Sequence, residues 1–386
     1  MKKKTFSLNL QFLILFSLAW LNPIQANADE LIDIIRDGKF YGDLRYRYEH
    51  VNQDGFSKDA TASTFRSRLG LISGKFMGFQ GAAELDTIGT IGTSRYNSTI
   101  NGKRQYPVVA DPHTNELNAL WMSWEGLYSS KVKVGRQPIN LDNLRFIGTV
   151  GFRQNDQTYD SVVVTNKGIK GLELFYSFTH RVNRIFGHKS RVGRFHTETH
   201  MGRAAYEFLP NQKLIAYTYW LNFNRARSSA LSSKTYGLRL TGSMPLPGIS
   251  DTSVAYVLEG ARQHDNGHNP NNYQADYYNV SPSITWHTLT IGAGIESLGG
   301  NGRNAFSTPL ATLHKHNGWA DKFLVTPADG LQDRHLRIKY KVAGLNNWVN
   351  NTVIQLIYHD FNAVKGNSNY GNEWNARIFR VFTAEE

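Results

Sequence analysis

Asp43-Leu44-Arg45-Tyr46-Arg47-Tyr48-Glu49 and Phe65-Arg66-Ser67-Arg68-Leu69-Gly70-Leu71 decide the fold, because charged and apolar side chains alternate along both runs. Successive side chains of an extended strand point to opposite faces. Leu44, Tyr46 and Tyr48 therefore share one face, and Asp43, Arg45, Arg47 and Glu49 the other. The second run puts Phe65, Leu69 and Leu71 on one side and Arg66 and Arg68 on the other. A helix would scatter both sets. Two adjacent strands are expected, with four arginines on one face and an apolar surface behind them.

Working outward, the start of the chain reads as an address. Lys2, Lys3 and Lys4 precede the apolar run Phe12 to Leu21, and Ala26-Asn27-Ala28 is a small-x-small cleavage site, the pattern of an export signal. Residues 1–28 are assigned to this signal peptide and residues 29–386 to one barrel domain. The apolar run is much shorter than the roughly 20 residues a spanning helix requires. No later window approaches that length, which excludes a helical membrane protein.

The chain has no cysteine, so a disulfide-stapled scaffold is excluded and stability must come from strand pairing and burial. It is rich in aromatics, with 21 Phe, 19 Tyr and 8 Trp, yet its mean hydropathy is negative. Strands that show only alternate side chains to lipid, girdled by aromatics, have this mixture. A soluble secreted all-β protein is the competing class. The formal net charge of +12 favours anionic partners without saying which.

Candidate strands recur sixteen times, from Phe40 to Glu49 through Thr64 to Gly74, Phe79 to Ile88, Glu116 to Trp124 and His200 to Phe208, ending with Glu373 to Phe382. Short links such as 75–78, 126–130, 167–170 and 209–212 alternate with long ones at 89–115, 138–158, 180–199 and 299–332. Tight turns at one end and long loops at the other are the habit of outer-membrane barrels. The expected fold is all-β, a transmembrane antiparallel up-and-down β-barrel with short periplasmic turns and long extracellular loops. Sixteen strands close to a backbone diameter of roughly 30 Å, too wide for side chains alone to fill. Either water or inward-folded loops must occupy the rest, and 89–115 and 299–332 are long enough.

Phase assigns further residues. Ile215, Tyr217, Tyr219, Leu221 and Phe223 share a face, and Tyr236, Leu238 and Leu240 oppose Thr235, Arg239 and Thr241. Leu336, Ile338, Tyr340 and Val342 oppose Arg337, Lys339 and Lys341. The segment Leu117 to Trp124 is apolar on both faces, and its phase is unreadable. A charge facing lipid at mid-membrane costs about 2 to 4 kcal/mol, so charged members belong inside. The expected pore-lining bases are Arg45, Arg47, Arg66, Arg68, Arg203, Arg239, Arg337, Lys339 and Lys341. The expected pore-lining acids are Asp43, Glu49, Glu84, Asp86, Glu173, Glu259, Glu296 and Glu373. One reading is an anion-selecting surface, since guanidinium donors match carboxylate and phosphate; it rests on the four clustered arginines with few acids between them. The other is a cross-strand charge network that only solvates the wall.

Other motifs carry less. His314-Lys315-His316 offers two imidazoles without a third ligand at a recognisable spacing. Leu298-Gly299-Gly300-Asn301-Gly302 lacks the helix and the Lys-Ser/Thr ending of a phosphate loop. No Gly-x-Ser-x-Gly elbow is present. Neither catalysis, a metal nor a cofactor is expected.

Several blocks resemble the alginate-export family of outer-membrane porins. They are Gly135-Arg136-Gln137-Pro138 through Leu144-Arg145-Phe146-Ile147-Gly148, Gly151-Phe152-Arg153-Gln154-Asn155, Thr158-Tyr159-Asp160, and the longer set 298–302, 306–314, 317–324, 326–328 and 330–333. Leu44 to Glu49 and the spacing of Glu259, Ala261 and Gln263 add to the likeness. The resemblance implies an arginine-lined outer-membrane pore, passive passage of anions, and in well-known members export of an acidic polysaccharide. It places Arg136, Arg145 and Arg153 in a loop turned toward the pore. The best-known exporter resembled has eighteen strands, against sixteen counted here. The chain ends with Thr383-Ala384-Glu385-Glu386 after Phe382, whereas such barrels usually finish on an aromatic residue. The expected partners are an anionic solute or a polyuronate and outer-membrane lipid, with no nucleic acid and a monomer favoured. A surface adhesin or receptor using the long loops, and an outer-membrane enzyme, are the alternatives.

Overall fold

Residue-by-residue alternation becomes sixteen strands in the computed structural model, which describes residues 34–346 and 348–382. The expected signal peptide and the residues after Phe382 lie outside the described residues. The first eight strands are β1 (Lys39–Val51), β2 (Ala60–Ile72), β3 (Phe79–Arg95), β4 (Thr114–Glu125), β5 (Ser130–Gln137), β6 (Thr158–Asn166), β7 (Leu172–Asn183) and β8 (Arg194–Leu209). They continue with β9 (Gln212–Leu221), β10 (Ser233–Pro245), β11 (Thr252–Asp265), β12 (Gln274–Trp286), β13 (Leu289–Leu298), β14 (Leu331–Lys341), β15 (Val353–Asn362) and β16 (Asn369–Phe379). Each pairs antiparallel with the next in one 16-stranded sheet in chain order. No helix among the described residues is long and apolar enough to cross a membrane.

The two faces are as unlike as the opening motif requires. On β1, Leu44, Tyr46 and Tyr48 are exposed, whereas Arg66 and Asp86 on the other face of β2 and β3 are buried. Leu336, Ile338 and Tyr340 of β14 and Tyr236 and Leu238 of β10 likewise stand on the exposed face. Register fixes the arginine cluster: Arg45 lies directly opposite Arg66, and Asp43 opposite Arg68. A slip of one residue would exchange the two faces.

β4 resists reading because of a bulge. Glu84 pairs with Ala119 and Leu85 with Leu117, leaving Asn118 as the extra residue. An extra residue shifts the phase of a strand, so Leu117 and Leu120, three apart, are both exposed while Asn118 and Ala119 are buried.

β9 turns its apolar face inward. Ile215, Tyr217, Tyr219 and Leu221, with Phe223 beyond it, are buried, and Leu214 and Trp220 take the exposed face. The buried set packs on Ile139, Leu141, Phe146 and Ile147 of loop 138–157 and on Phe306 and Leu310 of loop 299–330. Phe146 is central, its ring 5.4 Å from Tyr217, 5.3 Å from Tyr277 and 5.8 Å from Phe306 between centroids. Burying a phenylalanine side chain contributes about 1.5 to 3 kcal/mol. The two loops also bind each other, with Gly148 N–H donating to the Leu310 carbonyl at 2.9 Å. The core of this protein is thus made by two long loops packed on one side of the sheet.

Candidate functional site

Of the four arginines on β1 and β2, three hold the backbone of loop 138–157 and the fourth holds a side chain of it. Arg45 donates to the carbonyls of Gly151 and Phe152 at 2.9 Å and of Arg153 at 3.2 Å. Arg47 donates to the Phe152 carbonyl and lies 3.8 Å above the Phe152 ring. Arg66 reaches the Gln154 carbonyl at 3.2 Å. Arg68 pairs with Asp86 at 2.6 Å and with Asp156 of the loop at 2.8 Å. Gln154 completes the seat, its N–H donating to Asp111 and its side chain to Thr64. Hydrogen bonds from charged donors are the stronger kind, so residues 151–156 are clamped to β1 and β2.

Acids are also closer to these arginines than their sequence suggests. Asp43 pairs with Arg66, Glu49 with Arg47 at 2.6 Å, and Glu84 with Arg68 at 3.4 Å. Asp111, brought in by loop 96–113, stands 3.5 Å from Arg47. The expectation of few acids among the four is corrected: none of them lacks a carboxylate or a carbonyl partner.

The second inward loop is tied to the first and to the far strands. Arg145 is buried, with Nε 2.8 Å from Glu296 and Nη2 donating to Asn317 at 2.9 Å. Asn317 in turn donates to Glu296 at 2.6 Å and to Asp333 at 3.1 Å. Arg153 joins Glu49 of β1 at 3.0 Å to Asp321 at 3.3 Å. Glu373 of β16 accepts the backbone N–H groups of Trp319 and Ala320. Gly318 permits this approach: its φ is +87°, and a Cβ there would lie 2.3 Å from the Glu373 carboxylate. The two ends of the sheet therefore converge on one pair of loops.

The remaining expected residues separate into paired and open groups. Arg239 is paired with Glu259, which also accepts from Tyr217 at 2.9 Å. Arg203 bridges Asp142 at 2.8 Å and Glu173 at 3.0 Å. Arg136 belongs to β5 rather than to the loop, paired with Asp160 at 2.7 Å. Being placed in the strand next to the loop, it corrects the expectation for that residue. Arg337, Lys339 and Lys341 follow at alternate positions of β14 and are exposed, and no hydrogen bond or ion pair holds their side chains among the described residues.

Two further bases lie beside them: Lys315, which stands on a loop where strand phase says nothing, and Arg377, which shares the face of Glu373 on β16 and donates to Gln355 at 2.7 Å without a carboxylate partner. Lys315 on loop 299–330 lies near Arg239 and Arg337; burial, then repulsion from those two cations, lowers its ammonium pKa below the ordinary value. Arg377 of β16 neighbours Arg337 and lies 5.8 Å from the Trp319 ring. The histidines flanking Lys315 have separate partners. His314 bonds Asp321 at 2.9 Å and stacks on Phe152. Burial, with Arg145 beside it, pulls His316 down to about 3, so its imidazole is neutral.

A sixteen-stranded up-and-down sheet with apolar residues outside, ion pairs inside and long loops turned inward defines the porin class of fold. Solved structures agree. The chain is similar to OpdK of Pseudomonas aeruginosa, an outer membrane protein also solved with vanillate, with a TM-score of 0.68 and 14% identity over 89% of this chain and 88% of that one. OccD3 (OpdP) of the same organism gives a TM-score of 0.59 at 12% identity, covering 85% and 72%. OccK2 (OpdF), solved in complex with glucuronate, gives 0.55 at 14% identity, covering 85% and 82%. No family model and no curated protein matches the chain. The fold is thus that of the outer-membrane porins.

Proposed function

We propose that this protein is an outer-membrane channel for passive passage of small anionic solutes, carboxylates above all, with no bond made or broken. The observation that carries the reading is the basic group Lys315, Arg337, Lys339 and Arg377, none ion-paired with a carboxylate among the described residues, beside inward charges that are otherwise largely paired. Cations without neutralising partners attract carboxylates, and a narrow low-dielectric passage strengthens that attraction. Vanillate and glucuronate, the ligands of two similar structures, are both carboxylates. Within this reading Arg45, Arg47, Arg66 and Arg68 shape the passage, and the loop they hold narrows it. The exposed apolar face meets lipid, and the leader at residues 1–28 directs export.

The resemblance to alginate exporters supports a second reading, because its longest blocks form the two inward loops. A polyuronate is a chain of carboxylates and would meet the same bases. Two loops packed together inside the sheet favour a small solute over a polymer, so the first reading is preferred.

Planar-bilayer recording under a potassium chloride gradient tests the proposal. The protein should conduct with chloride preferred over potassium, and the K315M/R337M/K339M variant should bring the permeability ratio close to one. Folded protein that does not conduct, or that prefers potassium, overturns it. Uronate polymer blocking the current from one side would promote the second reading.

A further inference from the structure

We propose that Asp333, His335 and His359 form a binding site for a divalent transition cation of the zinc and nickel type. Asp333 and His335 are alternate residues on one face of β14, and His359 of β15 lies directly opposite His335. Sheet register alone therefore brings three ligating side chains together, and one ligand atom from each lies within 4.8 Å of the others.

The spacing suits a metal. His359 Nδ1 is 2.8 Å and His335 Nδ1 3.9 Å from Oδ1 of Asp333. Zinc bonds of about 2.0 to 2.2 Å in tetrahedral array place neighbouring ligand atoms about 3.3 Å apart. The two observed separations bracket that value, so small side-chain rotations would complete the set. The carboxylate is already oriented: Asn317 donates to Oδ2 at 3.1 Å, and both carboxylate oxygens lie within 3.0 Å of His359 Nδ1, the type of outer contact that fixes metal ligands.

His335 Nδ1 supplies the second observation. It is sealed from solvent and has no hydrogen-bond partner, a costly state for a polar atom that coordination would relieve. Two imidazoles and one carboxylate suit zinc, nickel or copper, whereas calcium and magnesium take oxygen ligands. The positive charge of Arg337 also acts on His335, and the carboxylates of Asp333 and Glu296 oppose it. Three protein ligands leave a coordination position open. The site stands whether or not the channel reading holds.

The experiment uses detergent-purified full-length protein, stripped with chelator and titrated with cobalt(II) as a spectroscopic probe, then with zinc in competition. One saturable visible absorption band at one cobalt per chain is expected, with affinity reduced at least tenfold in H335Q and in H359Q and about tenfold in N317A. Circular dichroism checks that each variant is folded. X-ray absorption of the zinc-loaded wild type should show two imidazole nitrogens, a readout independent of any variant. No saturable cobalt band from the wild type overturns the site. Unchanged binding by the folded H335Q/H359Q protein, or a zinc shell without imidazole, overturns it as well.

Discussion

Replacing Arg45 with methionine separates a clamp from a selectivity filter. Methionine keeps an unbranched apolar stem and loses all three donations to the carbonyls of Gly151, Phe152 and Arg153. A hydrogen bond to a charged group contributes about 1.5 to 3 kcal/mol. Three from one guanidinium do not add fully, because water in the lumen can take over part of the work. A net loss of about 3 kcal/mol is therefore expected, on the order of a hundredfold in the ratio of seated to released loop. Arg47, Arg66 and Arg68 continue to hold residues 152–156, so the loop should loosen without leaving. Hydrogen-deuterium exchange of the amides at 151–154 should accelerate by about that factor, and single-channel records should show flicker between a narrow and a wider level. The ratio of chloride to potassium permeability should move little. If R45M instead abolishes anion preference while exchange at 151–154 and conductance stay as in the wild type, the clamp is wrong and Arg45 acts on the solute.

Other substitutions probe other parts. F146A removes the ring shared by both loops and should cost about 3 to 5 kcal/mol of loop docking, read as faster exchange at 139–148 and 306–311. G318A forces a Cβ against Glu373 at a φ of +87°; a loss of about 1 to 3 kcal/mol is expected from the strained backbone, measured as earlier proteolysis of loop 299–330. Lys315 has a lowered pKa, so its charge is lost at a lower pH than an ordinary lysine's. Anion preference should accordingly fall as the solution is made alkaline, below the usual lysine range, and K315M should abolish that step. A reversal potential that does not vary with pH until ordinary lysines titrate would refute it.

The strands were legible because half of each faces outward, and alternation in β1, β2, β10 and β14 reports that directly. What was hidden has physical causes. The bulge at Asn118 puts β4 out of phase with itself. β9 has an apolar inner face only because loops 138–157 and 299–330 come to lie on it, and no pattern within β9 announces a partner so distant in sequence. The arginines of β1 and β2 looked unneutralised for the same reason: Asp111, Asp156 and the carbonyls of 151–154 arrive from later loops. Strand phase groups Arg337, Lys339 and Lys341 at alternate positions of one strand, yet it could say nothing of Lys315, which stands on a loop. Asp333, His335 and His359 converge through register, and register is invisible until the strands are paired.

The tie formed by Arg153 and Arg145 also sets an order of events. Loop 138–157 can bind Arg45 and Arg47 as soon as β1 to β6 exist, but Arg145 finds Glu296 and Asn317, and Arg153 finds Asp321, only after β13 and its following loop have been added. Contacts between residues so far apart in sequence form late. A half-assembled sheet should therefore carry a loose loop and a wide lumen, and its bore is among the last dimensions of the molecule to be fixed.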